Sequence, residues 1–248
     1  MGDPIISFKQ VEKAFEDNVI YTGLSFDVFQ GETLTVIGGS GVGKSVMLKL
    51  LIGLLRPDRG SIMAFGDDVT QMTSKQLQQL RQRVGMLFQG GALFDSMSVE
   101  ENISYPLIEH KWGSAAQMKY RVETVLDMVG LSGIEKMRPP ELSGGMKKRV
   151  GLARAIAIEP EVILYDEPTT GLDPKNVRRI NGLIRNLQEQ MKVTSIVVTH
   201  DMDSCFTVSD RIAFLNGHEI CWSGTCEEAK ASKIPDLADF VLGGRGVL

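Results

Sequence analysis

The stretch "GGSGVGKS", Gly38 to Ser45, governs how the rest of this chain is read. It fits the pattern GxxxxGK[ST] through Gly38, Gly43, Lys44 and Ser45. Glycines let successive backbone N–H groups curl around an anion where a Cβ would clash. The expected anion-binding run is Gly38, Gly39, Ser40, Gly41, Val42, Gly43, Lys44, Ser45 and Val46. The start of the following helix adds partial positive charge. In such a loop the lysine reaches the β- and γ-phosphates of a nucleotide, and the serine hydroxyl ligates Mg²⁺. A glycine-rich turn arising by chance would lack the context seen here. The apolar run "TLTVIGG" (Thr33–Gly39) predicts a buried parallel strand before it. "GKSVMLKLLIGLL" predicts a helix after it, closed by Arg56 and Pro57.

Further along, "EVILYDEP" and "TSIVVTH" also predict buried strands, and "GSIMAFG" and "VGMLFQ" are strand-like. "RIAFLNGHEICWSG" predicts a hairpin around Asn216-Gly217. Between Ser98 and Ile158 the texture is helical. Met118, Val122, Val125, Leu126 and Val129 recur at helical spacing, with Gly130 as a stop. Strands alternating with helices imply an α/β layered core with a helical lobe inserted after Gly90.

The strand "VILYDEP" places Asp166 and Glu167 at its C-terminal end, where ligands sit in open α/β sheets. Adjacent carboxylates on a loop are usually solvated charge. After a buried strand and downstream of a phosphate loop, they suit catalysis. Asp166 would support Mg²⁺ and Glu167 would orient or deprotonate an attacking water.

The chain has 248 residues, 43% apolar and 23% charged, ordinary for a globular protein. Its formal charge of -4 supplies no basic field for a nucleic-acid partner. Cys205, Cys221 and Cys226 form no CxxC pair and read as reduced thiols. The longest apolar run, Val46–Leu55, is broken by Lys49 and Gly53 and is too short to span a bilayer. No signal peptide is expected, and Asp3 and Pro4 fit a myristoylation start poorly.

A second glycine pair stands in "LSGGMKKR" (Leu142–Arg149), just where a helix begins. Ser143, Gly144 and Gly145 offer free N–H groups to another phosphate. One nucleotide needs both loops only if two chains meet, so a head-to-tail dimer is the simple solution. Here the sequence resembles the nucleotide-binding subunits of ABC transporters. The resemblance rests on "GGSGVGKS", "LFQ", "LSGGM", "LYDEP", "GLDP" and "VVTHD", in that order and over nearly the whole length.

That resemblance implies an ABC nucleotide-binding domain of the P-loop NTPase (RecA-like) fold class, with an antiparallel β subdomain and an inserted helical lobe. Residues 1–89 and 159–225 would form the core, 90–158 the helical subdomain and 226–248 a short tail. The activity implied is ATP hydrolysis with Mg²⁺. Ser143, Gly144 and Gly145 would contact the γ-phosphate from the partner copy, and Asp173 would lie at the dimer interface. Gln89 would sense Mg²⁺ and the attacking water. His200 would hold the γ-phosphate, a role given by the resemblance alone. Phe15 falls where the family often stacks an aromatic ring on adenine; core packing is the alternative. Met146 departs from the commoner glutamine and removes a hydrogen-bonding side chain there. "KKR" (Lys147–Arg149) reads as a solvated helix face.

The segment "LFQGGALFDSMSVEENISYPLIEH" (Leu87–His110), together with Met146, resembles the Mla-type ATPases paired with MCE-domain proteins. This implies phospholipid transport between membranes. The partners implied are an integral-membrane permease and an MCE-domain protein. The location implied is the cytoplasmic face of a bacterial inner membrane. The segment would form the groove for a cytoplasmic helix of the permease, or Leu93 and Phe94 would pack the lobes together. The alternative within the class is a motor for a small polar solute such as an amino acid. A soluble ABC ATPase acting on DNA or ribosomes is disfavoured by the single cassette, the absence of a long heptad run and the acidic charge. A non-hydrolysing nucleotide binder is disfavoured by the presence of Glu167, Gln89 and His200. "IPDLADFVLGG" (Ile234–Gly244) predicts one amphipathic helix with no appended regulatory domain, and Arg245–Leu248 a flexible end.

Overall fold

The computed structural model describes residues 2–243, so the end at Arg245–Leu248 lies outside the described residues. In chain order the elements are β1 (Ile6–Phe15), β2 (Asn18–Val28), β3 (Thr33–Ile37), α1 (Lys44–Leu51), β4 (Arg59–Ala64) and β5 (Asp67–Asp68). Then follow α2 (Ser74–Arg83), β6 (Val84–Leu87), α3 (Val99–Glu109), α4 (Ala115–Met128) and α5 (Gly144–Ile156). The rest comprises β7 (Val162–Asp166), α6 (Pro174–Met191), β8 (Thr194–Thr199), α7 (Met202–Val208), β9 (Arg211–Asn216), β10 (Glu219–Gly224), α8 (Cys226–Lys230) and α9 (Pro235–Val241).

Six strands form the main sheet in the order β10-β9-β3-β8-β7-β6, parallel except for β10 on β9. Every residue of β3, β7 and β8 is buried, which is why these strands read as largely apolar, β-branched runs without polar alternation. Their side chains alternate between two cores. Val162, Leu164, Ile196 and Val198 face α1 and the second sheet. Ile163, Tyr165 and Val197 face the other way, into a core with α3 to α6. The second sheet is antiparallel, in the order β2-β1-β4-β5.

Element boundaries have local causes. The helix predicted to reach Leu55 stops at Leu51 because Gly53 turns left-handed (φ 64). Gly53 N–H then donates to the Leu50 carbonyl and Leu54 N–H to the Lys49 carbonyl, the paired bonds of a glycine-terminated helix. In the β9–β10 hairpin Asn216 pairs with Glu219, so the two-residue loop is Gly217-His218 rather than Asn216-Gly217. Both loop residues have positive φ, as a type I′ turn requires. The helix expected within Ile234–Gly244 is α9, preceded by the short α8, and its Leu237 is buried in a small third core with Ile37 and Phe214.

Helices α2, α3 and α4 each start with a reciprocal capping box, at Thr73/Gln76, Ser98/Glu101 and Ser114/Gln117. On α3, Asn102 is fully buried and holds the preceding loop. Its Oδ1 accepts from Phe94 N–H at 2.8 Å, and its Nδ2 donates to the carbonyls of Phe94, Met97 and Ser98. Asn102→Ala orphans the Phe94 N–H and should cost about 2–3 kcal/mol of unfolding free energy, read as a lowered urea midpoint. An unchanged midpoint would contradict this role.

Candidate functional site

The parallel strands bring their carboxyl ends to one edge. Ile37 pairs with Thr199, Asp166 with Val198, and Leu87 with Tyr165. The loop after β3 (Gly38–Ser45), His200 after β8, Asp166 and Glu167 at β7 and Gln89 after β6 therefore share that edge.

The glycine loop is shaped by close approach. A Cβ on Gly38 would lie 2.5 Å from the Leu215 carbonyl oxygen. At Gly43 (φ 106) it would lie 2.5 Å from Ile20 Cγ2. Tyr21, buried in β2, donates its hydroxyl to the Gly43 carbonyl and braces the turn from below. Gly39, Ser40 and Val42 line a cleft of about 1120 Å³ together with His200. Lys44 is buried, and its Nζ donates to the Gly38 and Gly39 carbonyls at 2.9 and 2.8 Å. Burial pushes its ammonium below the usual lysine range, while the Glu167 charge, 3.7 Å away, opposes that shift.

Ser45 Oγ donates to Asp166 Oδ1 at 2.6 Å. Burial raises the Asp166 carboxyl above the usual carboxylate range; the Ser45 hydrogen bond opposes this and the Glu167 charge adds to it. The sign follows directly. A carboxyl raised by folding penalises the ionised folded protein, and that penalty shrinks as pH falls below the folded value and is gone below the unfolded one. Asp166→Asn should therefore raise the Tm of the nucleotide-free protein at neutral pH. The gap between variant and wild type should close as pH is lowered toward the ordinary Asp range. A gap that widens on acidification would contradict this cause.

Glu167 is the centre of the cluster. It is buried and left-handed (φ 47), an uncommon conformation for a residue with a side chain. Its carboxylate oxygens lie 3.0 and 2.9 Å from His200 Nδ1. The Thr170 hydroxyl donates to Oε2 at 3.0 Å. His200 itself is mostly exposed and borders the cleft, and Gln89 is exposed.

Ser143 caps α5, its Oγ accepting from Met146 N–H. Gly144 is exposed at this helix start. The second glycine has a packing reason: a Cβ on Gly145 would lie 2.7 Å from Asn176 Oδ1. Asn176 is held by Asp173, which caps α6 by accepting from the N–H groups of Lys175 and Asn176. Met146 packs against the helical core, which accounts for an apolar residue there. Phe15 is 41% exposed with the Lys13 ammonium 5.2 Å from its ring centre, so the core-packing alternative does not hold.

The reading of Lys147–Arg149 as a solvated face is corrected. Lys148 and Arg149 are 5% and 6% exposed. Arg149 donates to the carbonyls of Val129 and Gly130, and Lys148 Nζ donates to the Glu167 carbonyl at 2.8 Å. The signal was present in the helical period, since both follow Gly145 on the face that continues to buried Leu152.

Beyond Gln89 lies an apolar groove of about 340 Å³ lined by Met86, Phe88, Phe94, Tyr105 and Arg154 among others. The Phe94 and Tyr105 rings meet at a tilt of 53°, with centres 5.1 Å apart. Phe94 is exposed, while Leu93 packs against the helical core. Among the described residues no helix is long and apolar enough to cross a membrane.

The family profile described as "ABC transporter" matches residues 21–170. The phospholipid transport ATP-binding protein MlaF of Haemophilus influenzae is 37% identical over 98% of this chain and 92% of that protein. A Mycobacterium leprae protein named as the probable ribonucleotide transport ATP-binding protein mkl is 40% identical over 97% of this chain and 69% of that protein. Among solved structures, a dimeric post-hydrolysis state of the ATP-binding cassette MJ0796, bound to ADP and Pi, superposes with a TM-score of 0.82 at 29% identity. That match covers 89% of this chain and 98% of the other.

Proposed function

The chain belongs to the ABC transporter family as an ATP-hydrolysing cassette, and from that premise we propose that it powers phospholipid transport between membranes. Two copies meet head to tail around two ATP. Each nucleotide lies on the Gly38–Val46 loop of one copy, against Ser143, Gly144 and Gly145 of the other. Phe15 offers its exposed ring to adenine. The observation that carries the hydrolytic assignment is the Glu167 carboxylate, buried, shared with His200 Nδ1 at 2.9 Å and placed beside Lys44.

Lys44 turns from its own loop carbonyls to the β- and γ-phosphates. Glu167 accepts a proton from the attacking water, or orients it, and His200 swings between Glu167 and the γ-phosphate. Ser45 and Asp166 present a hydroxyl and a carboxylate 2.6 Å apart, hard oxygen donors that suit Mg²⁺, with Gln89 completing the set. Bound there, Mg²⁺ would neutralise phosphate charge. Asp173 reaches the dimer interface at the start of α6. ATP closes the dimer because the trans contacts exist only in the closed state.

The lipid assignment is supported by the near full-length similarity to MlaF and by the segment 87–110. In it the Phe94–Tyr105 groove receives a short helix of an integral-membrane permease, which holds the chain at the cytoplasmic face of the bacterial inner membrane, with an MCE-domain protein in the complex. The name of the mycobacterial relative favours a second reading, a motor for a polar solute. Extraction of the tagged chain with its surrounding native lipid, followed by mass spectrometry, separates the two. A permease with an MCE-domain protein is expected. A permease with a soluble solute-binding protein would favour the second reading.

A further inference from the structure

We infer that Lys148 is a positioning residue that ties the start of α5 to the backbone of Glu167, and thereby couples the two ATP sites of the dimer. The inference rests on the assignments above, Glu167 as the catalytic carboxylate and Ser143–Gly145 as the loop that meets the partner's nucleotide.

The geometry has three parts. Helix α5 begins at the loop that closes on the nucleotide held by the other copy. One turn on, Lys148 is buried and its Nζ donates to the Glu167 carbonyl at 2.8 Å. The Glu167 N–H donates to the Val198 carbonyl of β8 at 2.9 Å. The backbone of Glu167 is therefore pinned on both sides, to the sheet by its N–H and to α5 by its carbonyl. This matters because Glu167 sits at φ 47, where a residue with a side chain stays only when its surroundings hold it. The same backbone setting aims the carboxylate at His200 and Lys44.

Helix α5 is itself stiffly mounted. Gly145 meets Asn176 of α6, Arg149 holds the carbonyls after α4, and Arg154 donates to the Gly91 and Ala92 carbonyls beside the groove. A shift of α5 when its first turn engages the partner's ATP is thus delivered to the Glu167 carbonyl of its own site. Ligation of one site sets the catalytic carboxylate of the other, a coupling free energy between two distinct sites. Lys148 also lies near the charges of Asp166 and Glu167, and burial lowers its ammonium from the usual lysine range. A purely electrostatic role has to be separated from a positioning one.

The test uses the full chain in its permease complex and measures ATP turnover against ATP concentration. The variants are Lys148→Met, which keeps the buried stem without a donor, and Lys148→Gln, which keeps a donor without charge. Glu167→Gln is the control. Lys148→Met is expected to lower kcat about 5–10-fold, the loss of one strong hydrogen bond in positioning. KM for ATP should stay within about 3-fold, and the Hill coefficient should fall from above 1 toward 1. Lys148→Gln should recover most of the rate and the cooperativity. Methionine and glutamine variants equally impaired would assign Lys148 to charge alone and overturn positioning. A methionine variant with wild-type kcat and Hill coefficient, beside an inactive Glu167→Gln, would overturn the coupling and leave the catalytic assignment standing. Wild-type turnover by Glu167→Gln would overturn the assignment on which the inference rests.

Discussion

Glu167→Gln lowers ATP turnover by roughly 10²–10⁴-fold, the range a positioned general base contributes, while ATP still binds. The substitution keeps the side-chain shape and removes its negative charge. The pairing with His200 Nδ1 at 2.9 Å and the 3.7 Å approach of Lys44 Nζ both involve the carboxylate, so the variant loses the proton acceptor and the charge that faces Lys44 together. The Gly38–Ser45 loop is built from backbone groups and keeps its donors. Single-turnover hydrolysis and fluorescent-nucleotide binding, measured side by side, check the split. Residual turnover near wild type would remove Glu167 from the water, and loss of ATP binding would give it a structural role instead. Bound ATP that is not hydrolysed should also keep the dimer closed, which sedimentation reads directly.

Lys44→Ala acts on the other half of the reaction. It weakens ATP binding by about 10–100-fold, since hydrogen bonds to charged groups are worth about 1.5–3 kcal/mol. The ammonium stands beside the loop, held by the Gly38 and Gly39 carbonyls, and in the proposed reaction it turns from them to phosphate. Removing it also leaves Asp166 and Glu167 with less positive charge nearby. Nucleotide affinity measured by calorimetry tests this, and a wild-type affinity would displace the loop from the phosphates.

The parts of the fold legible in the sequence are those whose burial is total. Strands β3, β7 and β8 are covered on both faces, so each is a short run dominated by apolar and β-branched residues. The glycine loop and Asp166-Glu167 stood out because the pattern GxxxxGK[ST] and a carboxylate pair closing a buried strand restrict residue type at fixed spacing. The strands β1 and β2 were missed residue by residue. Their mixed burial and register shifts break the two-residue alternation, as between Phe8 and Val11. Helix α2 was missed although its Thr73/Gln76 capping box is written in "TSKQ". Lys148 was misread for a different reason. A lysine is ordinarily solvated; the helical period marks its buried face, but its partner, the Glu167 carbonyl at 2.8 Å, comes from tertiary structure. The buried Asn102 staple was equally hidden, because its partners are main-chain groups that no residue type announces.

Phospholipid transfer by the reconstituted complex tests the proposed transport directly. The chain and its co-extracted permease assembly are placed in vesicles carrying a fluorescent phospholipid, acceptor vesicles are added, and transfer is followed with and without Mg-ATP. ATP-dependent transfer that stops with Glu167→Gln is expected. ATP hydrolysis that proceeds without moving phospholipid, together with ATP-driven passage of a polar solute across the same vesicles, would contradict it.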